Sequence, residues 1–104
     1  YAKVNKTNLK NTDFSYSDLF GAHFENSIFE NANLQNANLE SANLNNCNLK
    51  SIQLNEGSNF KSTYLTGAIN LPENLNTKSK FIAAVGATNV NEQTSWIDGT
   101  SILS

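Results

Sequence analysis

The sequence predicts a β-solenoid, from two residue series that share one five-residue period and from the failure of that period to suit a helix or a flat strand. Leu or Phe recurs at Leu9, Phe14, Leu19, Phe24, Phe29, Leu34, Leu39, Leu44, Leu49 and Leu54. Val4 extends the series backwards, and after a one-residue insertion around Glu56-Gly57 it resumes at Phe60 and Leu65. A small side chain sits two residues before each: Ala2, Thr7, Thr12, Ser17, Ala22, Ser27, Ala32, Ala37, Ala42, Cys47, Ser58 and Thr63, with Ile52 the one large exception.

On a helix a step of five rotates by about 140°, so the leucines would share no face. On a continuous strand an odd period throws alternate leucines to opposite sides. A short extended segment can nevertheless aim two residues spaced two apart inward. The chain must then turn over the next two residues before repeating. Such a chain winds up, with the large residue at its centre, the small one where space is tight, and successive windings hydrogen-bonded at about 4.8 Å.

Length and composition set the outer limits. A chain of 104 residues fits one small domain. With 15% charged residues, no Arg and a net charge of −2, it is not a strongly basic nucleic-acid binder. No apolar run approaches the roughly 20 residues of a membrane-spanning helix. One Cys excludes an internal disulfide framework and a Cys-based zinc cluster. The nineteen Asn would suit a disordered tract on composition alone, yet they fall largely at outward and turn positions of the repeat. The chain starts at Tyr1 and not Met, so a processed product, a trimmed chain or a piece of a longer one is expected, with no signal or lipidation motif to choose between these. The glycosylation-type triplet Asn5-Lys6-Thr7 carries almost no weight.

At these residues the sequence resembles the pentapeptide-repeat family, whose pattern is a small residue, Asp or Asn, Leu or Phe, and two more polar residues. The match is closest in Ala32-Asn33-Leu34-Gln35-Asn36, Ala37-Asn38-Leu39-Glu40-Ser41 and Ala42-Asn43-Leu44-Asn45-Asn46, and the resemblance covers residues 2 to about 69. Ile28, Ile52, Tyr64 and the insertion near Gly57 depart from the pattern, and the insertion is expected to bulge one corner. The resemblance implies an all-β, right-handed quadrilateral β-helix of slightly over three coils over residues 1–71. Residues 20 apart then stack. The position after the central residue gives a charge-alternating column, Lys10, Glu30 and Lys50, beside another of Phe20, Glu40 and Lys61. Three-sided coils would instead stack Glu25 on Glu40, a repulsive pair. The central columns become Val4/Phe24/Leu44/Leu65, Leu9/Phe29/Leu49, Phe14/Leu34/Leu54 and Leu19/Leu39/Phe60, and stacked Asn are expected to exchange side-chain hydrogen bonds between coils.

From Pro72 the period fails, and residues 72–104 are expected to cap the last coil within the same domain. Pro72-Glu73-Asn74-Leu75 reads as a helix start, Phe81 to Val85 as an apolar run, and Trp96-Ile97-Asp98-Gly99 as a turn. A solenoid end exposes core and unpaired backbone, so Phe81, Ile82, Val85, Trp96 and Ile97 are the expected cover. Gly86-Ala87 and Thr94 to Gly99 look similar to tails that follow the repeats in many bacterial, especially cyanobacterial, members. Nothing comparable covers Val4 and Leu9, so another protein, missing upstream sequence or a second copy of the chain is the partner expected at the N-terminal end.

Chemistry-bearing residues are few. His23, the only His, is an outward side chain with no partner specified by the sequence. Cys47 replaces Ala in the small-residue column and reads as a buried, inert filler. Asp13 and Asp18 occupy positions where the family carries Asp or Asn for structural reasons. No phosphate-cradling glycine pattern, nucleophile elbow or metal spacing is present. No catalytic residue, metal site or cofactor is therefore expected. Tyr16, Phe20, Ile28 and Tyr64 break the outward polar pattern; Ile28 is expected to pack locally, while Tyr16 and Phe20, in one coil, form the candidate partner surface.

The expected function is a non-enzymatic structural or protein–protein interaction module, with a bacterial or plastid flavour. It would be cytoplasmic, or lumenal or periplasmic if Tyr1 is a processed N-terminus. The alternative implied by the resemblance is a DNA-mimicking modulator of gyrase. Residues 11–49 carry five carboxylates and no Lys, but the flanking lysines and the net charge of −2 oppose a duplex mimic.

Overall fold

The computed structural model describes residues 5–72 and 78–103. The chain is a β-solenoid. Parallel bridges join residues 20 apart in four columns: Asn8–Ile28–Asn48, Asp13–Asn33–Gln53, Asp18–Asn38 and His23–Asn43. Beyond the Glu56-Gly57 insertion the spacing becomes 21, in Asn38–Asn59, Asn43–Tyr64 and Asn48–Ile69, so the extra residue is absorbed at one corner and the register carries on. Among the described residues each bridge stands alone. A two-residue corner follows each three-residue side, leaving no room for a longer strand.

The ladder has two hydrogen bonds per side. The central residue donates its N–H to the level below, as in Leu34 N to Gln53 O (2.8 Å), and the residue before it donates to the level above, as in Asn33 N to Thr12 O (2.9 Å). Each regular corner closes with a third bond, from the next small residue back to the central carbonyl, as in Ala37 N to Leu34 O (3.2 Å). The second corner residue has φ near +60°, as the third residue of a type II turn requires. Asn11, Asn26, Asn31, Asn36, Asn46, Gly21 and Gly67 suit this conformation; Lys6, Tyr16, Ser41, Ser51 and Ser62 adopt it too.

Asparagine does three jobs here. At the corner it tolerates positive φ. Before the central residue its Oδ1 accepts the N–H two residues on and so fixes the exit from each side, as in Asn33 to Gln35 N (3.0 Å), Asn43 to Asn45 N (3.0 Å) and Asn59 to Lys61 N (2.9 Å). Between levels, amides bond to amides, as in Asn31 Nδ2 to Asn11 Oδ1 (2.8 Å), Asn59 Nδ2 to Asn38 Oδ1 (3.1 Å) and Asn70 Nδ2 to Asn48 Oδ1 (2.8 Å).

The interior is filled. Phe24, Phe29, Leu34, Leu39, Leu44, Leu49, Phe60 and Leu65 are buried, and so are Ala22, Ser27, Ala32, Ala37, Ala42, Cys47, Ile52 and Thr63 beside them. Each large side chain contributes roughly 1.5–3 kcal/mol. Phe14, Phe24 and Phe29 form an aromatic cluster with ring centroids 5.1 to 5.9 Å apart. Leu9, Phe14 and Leu19 at the first level, and Leu54 beside the insertion, are only partly buried.

After Pro72 comes one helix, α1 (Lys78–Val85), then a 3-10 turn over Ala87–Asn89. The helix start expected at Pro72-Glu73-Asn74-Leu75 falls on residues 73–77, outside the described residues. The apolar run Phe81 to Val85 is helical. Phe81 packs at 5.9 Å on both Phe60 and Trp96, and Lys78 Nζ sits 5.3 Å from the Trp96 ring. The tail also joins the ladder: Ser62 N donates to Ala84 O (2.9 Å), Leu65 N to Asn89 O (2.7 Å) and Leu71 N to Ser95 O (3.1 Å), with a parallel bridge from Leu71 to Trp96. The expected turn is present, with Gly99 N donating to Trp96 O (2.9 Å) and Gly99 at φ +87°. Ile97, expected as cover, is 44% exposed, because it follows the inward Trp96 and so points out.

Candidate interaction surface

Tyr16 and Phe20 lie at the two corners flanking one side of the solenoid, the side whose outward column is Asp18, Asn38 and Asn59. Tyr16 is 80% exposed and sits at φ +61°, an unfavourable conformation for a bulky side chain. Its backbone N donates to Gln35 O (3.1 Å). Phe20 is 43% exposed, and its N–H is held by Asp18 Oδ1 (3.2 Å). Between the two rings runs a polar ladder: Asn38 Nδ2 donates to Asp18 Oδ1 (3.3 Å), Asn59 Nδ2 donates to Asn38 Oδ1 (3.1 Å), and Asn59 Nδ2 also reaches Glu40 Oε1 (3.4 Å).

Ile28 and Tyr64 are also exposed, and Ile28 does not withdraw into local packing as expected. Sequence reasoning missed Ile69. It shares the Asn8–Ile28–Asn48 column and is 41% exposed, and its place was hidden because Asn70 stands after it where a central Leu or Phe is due.

The titratable groups serve the scaffold. His23 has a partner that the sequence reading did not name: its Nδ1 lies 3.0 Å from Glu25 Oε1, two residues on at the next corner. Lys10 Nζ pairs with Glu30 Oε2 across one level (3.1 Å), as the stacked charge column anticipates. Glu40, by contrast, takes the Asn59 amide. The Asp13 carboxyl is held below the usual Asp value by the Ser15 hydroxyl and then by the Ser15 N–H, which its Oδ1 accepts at 2.9 Å. Cys47 is fully buried and its thiol donates to Phe24 O (3.0 Å); burial pushes its pKa up to about 12, leaving it neutral.

Among the described residues no group of three His, Cys, Asp or Glu could hold a metal ion, and no helix is long and apolar enough to cross a membrane. Two open clefts, of about 650 and 550 Å³, flank α1 outside the filled interior. The larger is lined by Ile52, Leu54, Phe60 and Phe81, with Glu56 and Lys80 as its charged lining residues.

A filled β-solenoid wound from five-residue units, with its polar chemistry spent on its own corners, defines a repeat protein of the β-helical class. The family model described as pentapeptide repeats (8 copies) matches the sequence over residues 1–31 and 17–55, and the chain belongs to the pentapeptide-repeat family of right-handed β-helices. Among solved structures it is similar to a pentapeptide repeat protein from the thylakoid lumen of Arabidopsis thaliana, at 21% identity over 84% of each chain and a TM-score of 0.34. It is also similar to one from the cyanobacterium Cyanothece, at 27% identity over 93% of this chain and a TM-score of 0.31. The chain spans 57% of the length of that cyanobacterial protein. No curated protein matches the sequence.

Proposed function

We propose that this chain is a non-enzymatic structural or protein–protein interaction module. In this reading residues 1–71 form a four-sided, right-handed coil of slightly over three turns, and residues 72–104 cap its last coil. The observation that carries the proposal is the contrast between interior and corners. Leu34, Leu39, Leu44 and Leu49 leave no space inside, whereas Tyr16 projects at 80% exposure from a corner where its own backbone is unfavourable. Side chains that break a local rule without a local gain mark contact surfaces. Affinity capture from the source organism tests this: the Tyr16→Ser and Phe20→Ser variants should lose the specific partner. Unchanged capture by both variants overturns the assignment of this surface.

The same reading puts a second contact, another protein or a second copy, at the N-terminal end. Leu9, Phe14 and Leu19 stay partly exposed while Phe29, Leu34 and Leu39, one level down in the same columns, are buried; Val4 lies outside the described residues. A strictly monomeric mass by light scattering at high concentration would remove the second copy. DNA mimicry is disfavoured because the carboxylates are spread round the coil, at Asp13, Asp18, Glu25, Glu30 and Glu40, and Glu30 is neutralised by Lys10.

A further inference from the structure

The wide corner produced by the insertion is built twice. In Leu54-Asn55-Glu56-Gly57-Ser58, Ser58 N donates to Asn55 O (3.0 Å), and Asn55 Oδ1 collects Gly57 N (3.1 Å) and, from the level above, Asn36 N (2.9 Å). The Ser58 hydroxyl reaches up to Leu34 O (2.8 Å) and accepts Asn55 N (3.1 Å). In Val90-Asn91-Glu92-Gln93-Thr94 every one of these bonds recurs. Thr94 N donates to Asn91 O (2.9 Å), and Asn91 Oδ1 collects Gln93 N (3.0 Å) and Gly67 N from above (3.1 Å). The Thr94 hydroxyl donates to Leu65 O (2.6 Å) and accepts Asn91 N (3.1 Å). Leu34 and Asn36 stand to the first corner as Leu65 and Gly67 stand to the second.

The surrounding ladder agrees. Leu65 N meets Asn89 O as Leu44 N meets Tyr64 O, Ser95 N meets Ala68 O as Ile69 N meets Cys47 O, and Ser62 N meets Ala84 O as Ser41 N meets Lys61 O. Val90 and Trp96 are buried at 6% and 1%, in the role of central residues.

We infer that residues 86–97 are a re-entrant winding of the same solenoid, reached after α1 takes the place of one corner, and that Asn91 and Thr94 form a latch holding this winding shut over the last β-edge. Gly67 is the amide that reports the latch, because both Asn91 Oδ1 and the Thr94 hydroxyl (3.2 Å) accept its N–H. An antiparallel bridge between Ser95 and Ser101 then covers the outer edge of the winding at its Thr94–Trp96 side. The inference deepens the capping role proposed above by naming what holds the cap.

Native-state hydrogen exchange tests it first on the unaltered protein. The amides of Leu65, Gly67 and Leu71 should open as one unit with those of Thr94 to Ile97, before the amides of Leu34, Leu39 and Leu44. Protection of Gly67 that persists after the tail amides have opened would overturn the latch. In Thr94→Val, Gly67 exchange should quicken at least tenfold with Asn36 unaffected, and Thr94→Ser should restore it. The Ser58→Ala variant should do the reverse, freeing Asn36 and sparing Gly67. Light scattering separates the two readings. Quickened Gly67 exchange with a rise in mass supports both latch and cap. Quickened exchange with no change in mass keeps the latch and removes the cap's role against association.

Discussion

Gly57 and Gly67 let two contributions to corner stability be measured separately. A Cβ added at Gly57 would meet Oδ1 of Asn36, and one added at Gly67 would meet Oδ1 of Asn46, so each substitution displaces an amide seated over the glycine. Only Gly67 also has positive φ, at +74°. Displacing an amide costs about 1 kcal/mol in both variants. Alanine adds about 1–2 kcal/mol in the left-handed region. In both variants the reduced freedom of the unfolded chain returns roughly 0.4–1 kcal/mol. Gly67→Ala should therefore destabilise by about 1–2.5 kcal/mol and Gly57→Ala by less than about 1 kcal/mol. Urea unfolding of both variants reads the difference through the midpoint at constant slope. Thermal melts should show Gly67→Ala lower by on the order of 10 °C. Equal losses in the two variants would refute the claim that positive φ at the corner is what glycine supplies.

Tyr16→Asn should raise stability by about 1 kcal/mol, since Asn tolerates the φ of +61° that Tyr16 adopts; an unchanged or lower urea midpoint would show that the Tyr16 ring is anchored in the monomer. The Cys47 thiol, with its pKa raised to about 12, should be silent to a thiol reagent in the native protein at pH 8 and react on unfolding. Because the unfolded thiol ionises first, stability should fall as pH rises from about 9 towards 12, by at most about 1.4 kcal/mol per pH unit, and Cys47→Ala should flatten that slope. The lowered Asp13 pKa works the other way: its contribution is present above the ordinary Asp pKa and is lost as pH falls through the lower native value. Asp13→Asn should thus lose less stability than the parent between pH 4 and 2, followed by urea midpoints.

What the residues announced was the period. A large residue every five positions with a small one two before it admits a wound chain and little else, and the Lys10–Glu30 pair agrees with the stacking at 20 that the resemblance implied. The tail was harder to read because its pattern resumes only after α1. Val90-Asn91-Glu92-Gln93-Thr94 repeats Leu54-Asn55-Glu56-Gly57-Ser58 in residue class at every position but Gln93, which replaces Gly57, yet 36 positions later and out of phase. The wide corner masks the kinship, since it is the one place where the five-residue rule is already broken. The triple use of Asn was hidden for a different reason: one residue type fills three positions whose hydrogen bonds differ, and composition merges them. The exposure of Tyr16 was legible as an outward aromatic, but its backbone conformation was marked only indirectly, by the Asn and Gly that fill the same corner position at Asn11, Gly21, Asn26 and Asn31.

The corner and ladder bonds bear on how this protein ages. Asparagine deamidates when the nitrogen of the following residue attacks its side-chain carbon. Here that nitrogen is engaged after Asn after Asn: Leu34 N, Leu39 N, Leu44 N and Leu49 N are tied into the ladder, and Ala32 N, Ala37 N and Cys47 N into corners. The asparagines so placed should therefore be kept while the chain is folded and lost quickly once it unwinds. Peptide mass mapping of samples stored native and in urea would read that difference as a clock that runs only in the unfolded state.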